Sequence, residues 1–109
     1  MVKIGALIHP FKMEEARAAL EALDVREFTA CEVFDHGEAS GTTVYRGAAY
    51  RCAAARIKLE MLVSGDDVDR VIEAVMRAAR TPERGDRDGR ILVYQVADAI
   101  NIHSGMHSF

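Results

Sequence analysis

At 109 residues, half of them hydrophobic and 28% charged, the chain has the size and composition of a single globular domain with one modest core. Fourteen Lys and Arg against seventeen Asp and Glu leave a formal charge of −3, which disfavours general affinity for nucleic acid or an anionic membrane surface while leaving room for a local basic patch. The amino terminus lacks the apolar run and small-residue cleavage site of a signal peptide, and no segment approaches the roughly eighteen apolar residues that span a bilayer. A cytoplasmic location and no membrane insertion are expected. Cys31 and Cys52 show no C-x-x-C spacing, so no disulfide framework or zinc knuckle is signalled; both are expected to be reduced, one of them buried.

In chain order, Val2 to Ile8 is a short apolar run that reads as a strand, ended by His9-Pro10 because proline donates no ladder hydrogen bond. Met13, Ala16, Leu20 and Leu23 then recur at helical spacing between Phe11 and Leu23, with Glu14, Glu15, Arg17 and Glu21 elsewhere around the axis. Phe28 to Phe34 alternates as a strand. Arg56 to Val63 alternates more cleanly: Ile57, Leu59, Met61 and Val63 face one way, Arg56, Lys58, Glu60 and Leu62 the other. Ser64-Gly65-Asp66-Asp67 offers side-chain acceptors for a helix start, and Val68, Val71, Ile72, Val75 and Ala79 form the apolar stripe of that helix. Ile91 to Val96 is a fourth strand. Ala99 to His103 is expected to add a short edge segment before the tail frays.

Between the second and third strands lies Val33 to Arg56, with glycines at 37, 41 and 47 and tyrosines at 45 and 50. Hairpin turns use two to five residues, and longer structureless loops are uncommon unless functional or disordered, so this insert reads as a functional loop held out from the fold. The order strand, helix, strand, strand, helix, strand is that of a ferredoxin-like split βαβ domain, α+β, with an antiparallel sheet covered by helices on one face. A bare second face carrying Leu62 and Cys31 or Thr29 points to self-association.

Thr81 to Arg90, TPERGDRDGR, is the best small-molecule candidate: Gly85 and Gly89 allow backbone N–H groups to converge on an anion, and Arg84, Arg87 and Arg90 supply charge. A solvated, charged turn explains the same composition. Asp86 and Asp88 argue against a simple anion nest, although an aspartate can accept hydrogen bonds from a ribose or a base.

These residues carry a resemblance from end to end. His9-Pro10-Phe11-Lys12 stands where the PII signalling family has K-P-F-K; Thr29 to Val33, TACEV, resembles its T-V-T-E-V; Tyr45 to Tyr50, YRGAAY, resembles the Y-R-G-A-E-Y of its T-loop; and Ala78 to Thr81, Gly85-Asp86 and Gly89-Arg90-Ile91 resemble its B-loop. The resemblance implies one domain over residues 1–109, a T-loop over about 35–55, a B-loop over 81–90, and a homotrimer that binds adenine nucleotides (ADP, AMP or ATP) between subunits. It also implies a target, a membrane transporter or metabolic enzyme, contacted through the T-loop, with no nucleic-acid partner. By position, Thr29, Glu60, Thr81 and Asp86 would surround the adenosine, and Gly37, Gly85, Gly89 and Arg90 would contact phosphates. Arg56 would replace a lysine that reaches the terminal phosphate, exchanging a point charge for a planar fork.

The departures shape the expectation. Where relatives that sense 2-oxoglutarate carry G-R-Q, this chain has Gly37-Glu38-Ala39, and alanine cannot ligate magnesium. A carboxy-terminal R-I-R becomes Asn101-Ile102-His103, which removes two fixed charges and puts His103 in reach of phosphate or a small anion such as bicarbonate. The expected outcome is nucleotide binding that favours ADP or AMP over ATP, without magnesium-dependent 2-oxoglutarate sensing, in a regulator linked to inorganic carbon rather than to general nitrogen status. Tyr45, Arg46 and Tyr50 are candidates for partner contact, and Tyr50 stands where some relatives are uridylylated. No nucleophile, base and orienting group fall together, so no enzymatic activity and no cofactor beyond the regulatory ligand are expected. The alternative is a structural or metal-responsive trimer resembling the CutA type, in which the cleft is vestigial and some of His9, His36, His103 and His107 bind metal with a cysteine.

Overall fold

The computed structural model describes residues 1–36, 41–45, 48–82 and 85–107, and at 41–45, 48–52, 86 and 87 the backbone alone. Its elements are β1 (Val2–Ile8), α1 (Met13–Ala22), β2 (Thr29–Asp35), β3 (Gly41–Tyr45), β4 (Ala48–Cys52), β5 (Ala54–Val63), α2 (Val68–Ala79) and β6 (Arg90–Gln95). β2, β5, β1 and β6 lie in that order in one sheet. Every neighbouring pair is antiparallel, in the registers Thr29↔Glu60, Gly5↔Glu60 and Leu7↔Arg90. This is the ferredoxin-like arrangement.

Alternation along the strands sets the core. Ile4, Ala6 and Ile8 on β1 and Leu59, Met61 and Val63 on β5 point the same way and are buried, together with Ala16 and Leu20 of α1 and Val71, Val75 and Ala79 of α2. The apolar spacing on each helix therefore does what it implied, closing a single layer of helices over one sheet face. Burying each of the larger side chains contributes about 1.5–3 kcal/mol, an upper bound because the unfolded chain already buries some of this surface.

The opposite face carries Thr29, Cys31, Lys58, Glu60, Lys3 and Tyr94 by register, and among the described residues no helix covers it. Leu62, Leu92 and Tyr94 there are exposed. Lys3 Nζ sits 4.5 Å from the centre of the Tyr94 ring. Cys31 is a free, exposed thiol, while the side chain of Cys52 lies outside the described residues.

Three local expectations are corrected. The insert between β2 and β5 is not an open loop: β3 and β4 pair with each other from Gly41↔Cys52 to Tyr45↔Ala48, forming a separate two-stranded hairpin. Its sequence signal is a run of β-branched Thr42, Thr43 and Val44 followed by the two-residue link Arg46-Gly47, the spacing of a tight hairpin. The chain measures 58 Å along its longest axis, with a radius of gyration of 16.5 Å against about 13 Å for a compact chain of this length. At the start of α2, no side chain caps the helix. A 3-10 turn over Gly65–Asp67 intervenes, and the Asp67 carboxylate turns instead to Arg70, whose guanidinium lowers its pKa. At the carboxyl end, residues 99–103 form no strand and the tail closes on itself. Asn101 N–H donates to Met106 O at 2.9 Å, Ile100 bridges His107, and His107 Nδ1 lies 2.6 Å from Asp98 Oδ2.

Candidate functional site

Chemistry-bearing side chains converge where β1 ends and β6 begins. Proline at position 10 stops β1 and starts a 3-10 turn, closed by Lys12 N–H on the His9 carbonyl at 2.9 Å. His9 is thereby pinned under the turn, 2% exposed, with its ring stacked on Phe11 at 5.2 Å between centroids. From the other side, α2 ends at Ala79 as Arg80 takes extended backbone angles, which delivers Thr81 into the interior at 5% exposure.

Asp88 joins these two. One carboxylate oxygen accepts the Thr81 backbone N–H at 2.9 Å, and the other accepts the Thr81 hydroxyl. That second oxygen also stands 3.8 Å from His9 Nε2. Gly89 follows at φ +128°, where a Cβ would lie 1.9 Å from the Leu7 carbonyl oxygen. Only glycine lets the loop lie this close against β1. Arg90 then donates through Nη1 to Asp35 Oδ2 at 3.3 Å. Asp35 is the last residue of β2, so one guanidinium ties the start of β6 to the end of the strand that leads to the hairpin.

A cavity of about 600 Å³ lies between α2 and β6, lined by Ile72, Met76 and Val93 together with Arg80, Asp88 and Arg90. A shallower hollow of about 270 Å³ on the bare face shares Leu7 and Arg90 and adds Asp35, Lys58 and Tyr94. Arg90 borders both. The combination of apolar walls with a few convergent polar groups is that of a small-molecule site.

Of the residues singled out from sequence, Thr81, Gly85, Gly89 and Arg90 share this loop. Both Thr81 donors are occupied by Asp88, so in this conformation Thr81 anchors the loop. Arg56 is buried on β5, opposite Val33, and donates to the Ala55 carbonyl at 3.0 Å. Thr29 and Glu60 face each other across β2 and β5, on the row of the bare face that contains Gly5, two residues along β1 from the Leu7–Arg90 row. Within one chain that pair and the loop are therefore separate.

Glu60 takes Lys58 Nζ at 2.9 Å and Lys3 Nζ at 3.8 Å. The Lys58 hydrogen bond lowers the Glu60 pKa, and Glu60 raises that of Lys58. His103 is exposed in the carboxy-terminal turn. Asp86, Tyr45 and Tyr50 are described by backbone only, in the 3-10 turn Gly85–Asp88 and in the hairpin, while Gly37 and Arg46 lie outside the described residues. Sequence reasoning weighed Asp88 only as an acceptor for a ribose or a base and His9 only as a metal ligand, and it passed over Asp35. The place of Asp88 directly before Gly89-Arg90-Ile91 signalled a part in the loop; the contacts that His9 and Asp35 make carried no local signal, because they arise across the fold.

Comparison with known proteins decides the family. The family model for nitrogen regulatory protein P-II matches residues 1–106. The chain belongs to the P-II family. It is 38% identical over 104 residues to a nitrogen regulatory protein P-II of Rhizobium etli, covering 94% of this chain and 91% of that one. It is 40% identical over 107 residues to that of Haemophilus influenzae, covering 96% and 94%. Among solved structures, Arabidopsis thaliana PII bound to citrate superposes with a TM-score of 0.75 at 27% identity, over 97% of this chain and 83% of that one. P-II proteins are regulators, and the fold above matches that of the solved PII structure. Among the described residues no helix is long and apolar enough to cross a membrane, and no group of three His, Cys, Asp or Glu side chains is disposed to hold a metal.

Proposed function

We propose that this P-II protein is a cytoplasmic homotrimeric regulator that binds adenine nucleotides between subunits and signals through its β3–β4 hairpin to a membrane transporter or metabolic enzyme. The observation that carries the reading is the ion pair between Arg90 and Asp35. It joins a glycine-bearing loop with a cation to the end of β2, from which the chain runs on to the β3–β4 hairpin. A phosphate drawn to Arg90 competes with Asp35 for the guanidinium, and a ligand that binds the two hairpin states unequally shifts their populations.

Assembly supplies what one chain keeps separate. The bare face of the sheet, with Leu62, Leu92 and Tyr94 exposed, is the surface to be covered in a closed oligomer. In it the Thr29–Glu60 pair of one subunit meets the Arg90 loop of the next. The ligand preference follows from charge. Residues 37–39 lack the glutamine that would help hold magnesium, and Asn101-Ile102-His103 supplies one titratable ring in place of two fixed cations. With fewer cations, ADP or AMP is favoured over ATP, and 2-oxoglutarate does not act. His103 suits a small anion such as bicarbonate, in keeping with control of inorganic carbon.

Titration calorimetry with ATP, ADP and AMP, each with and without magnesium, 2-oxoglutarate and bicarbonate, tests this. Saturable ADP or AMP binding that 2-oxoglutarate leaves unchanged is expected. ATP binding tighter than ADP and enhanced by 2-oxoglutarate would overturn the preference, and no binding of any nucleotide would overturn the function.

A further inference from the structure

We propose that Asp88 is a positioning residue that clasps the Arg90 loop onto the end of β1 and so holds Gly85, Gly89 and Arg90 in the arrangement that receives phosphate. The inference rests on the nucleotide-binding reading. It differs from the contacts expected from sequence, in which the ligand meets Thr81 directly and an aspartate of the loop accepts from the ligand itself.

Three observations carry it. Asp88 takes both donors of Thr81, the N–H at 2.9 Å and the hydroxyl, and thereby closes the loop across its base. Thr81 is 5% exposed and His9, 3.8 Å from the same carboxylate, is 2% exposed, while the Asp88 side chain is 20% exposed, so the clasp is part-buried, with its donors on the inner side. Hydrogen bonds to a charged acceptor in such surroundings are stronger than those in water. Finally, Asp88 immediately precedes Gly89, whose backbone lies against the Leu7 carbonyl just before the β6 ladder begins at Arg90. Fixing Asp88 fixes the point from which Arg90 leaves.

Without the clasp, the loop samples arrangements in which Gly89 is lifted from Leu7 and Arg90 is free to wander. Apparent affinity then falls by the fraction of time the competent arrangement is occupied. Asparagine in place of Asp88 keeps one acceptor for Thr81 and so preserves part of the clasp, whereas alanine keeps none.

The test compares the wild type with Asp88→Ala and Asp88→Asn, by titration with ADP and by amide hydrogen exchange of residues 85–90 without ligand. Asp88→Ala is expected to speed exchange at these amides at least tenfold and to weaken ADP binding at least tenfold, with Asp88→Asn between it and the wild type in both. Thr81→Ser, which retains the N–H and the hydroxyl, is expected to match the wild type in exchange. Unchanged exchange in Asp88→Ala would overturn the clasp. Faster exchange with ADP affinity equal to or above wild type would overturn its positioning role, since Asp88 would then be neutral or a competitor for the ligand. If the wild type itself binds no adenine nucleotide, the functional reading fails and the proposed role fails with it, whereas the exchange data still report on the clasp alone.

Discussion

Replacing Gly89 with alanine is the sharpest probe of how the loop is seated. The added Cβ would lie 1.9 Å from the Leu7 carbonyl oxygen and 3.0 Å from its carbon, with φ at +128°. Backbone atoms cannot yield as a flexible side chain does, so loop and strand must separate by about 1 Å or more in an interior packed at crystal-like density. Leu7 sits between β5 and β6, opposite Lys58 and Arg90, so the separation strains ladder bonds on both sides. Disfavoured backbone angles cost about 1–3 kcal/mol, and each ladder bond lost costs about 1 kcal/mol more. The total is about 2–5 kcal/mol, which in a domain of this size lowers Tm by about 10 °C or more. Gly85 is the internal control. Its φ is +54° but nothing lies within 4 Å of a Cβ there, so Gly85→Ala should cost only about 1 kcal/mol. Urea or thermal denaturation of both variants at one protein concentration makes the comparison. Gly89→Ala within about 0.5 kcal/mol of wild type, or no worse than Gly85→Ala, would refute the close approach of the loop to β1.

Leu20→Ala removes a fully buried side chain between α1 and the sheet and is expected to cost about 2–5 kcal/mol in urea unfolding, whereas Leu62→Ala on the bare face should change the stability of the isolated subunit by far less. Arg90→Ala should weaken nucleotide binding in calorimetry and, by freeing the root of the hairpin from Asp35, raise protease sensitivity within residues 36–53 even without ligand. The Glu60 pKa is lowered in the folded chain, chiefly by its hydrogen bond from Lys58, so its contribution to stability is present above the ordinary carboxylate range and is lost as pH falls through the folded value, which lies below that range. Glu60→Gln should flatten that part of the Tm-against-pH curve, and added salt should shrink the difference because the pair is exposed.

Periodicity made the fold readable. The alternation of Ile57, Leu59, Met61 and Val63 and the 3.6-residue spacing of Val68, Val71, Ile72, Val75 and Ala79 assign a face to each element, and six elements in that order leave little choice of topology. The hairpin was less legible because the glycines and small residues around it resemble loop composition, although Thr42-Thr43-Val44 carries strand propensity. The start of α2 misled because a sequence shows where acceptors stand and not which donor they choose; Asp67 turns to Arg70 rather than to the helix end. In the site, glycine and arginine positions could be read from residue type alone. The roles of Asp88, His9 and Asp35 depend on β1, β2 and the loop after α2 meeting at one end of the sheet, contacts between residues as far apart in sequence as Asp35 and Arg90. Local pattern does not encode such pairs.

Native mass spectrometry of the purified protein with ADP tests the central claim most directly, because it reads subunit number and bound nucleotide in the same ion. Trimers carrying up to three ADP molecules, with no ADP on monomers, are the expected result. A monomer that binds ADP, or a trimer that binds none, would contradict a nucleotide site built between subunits.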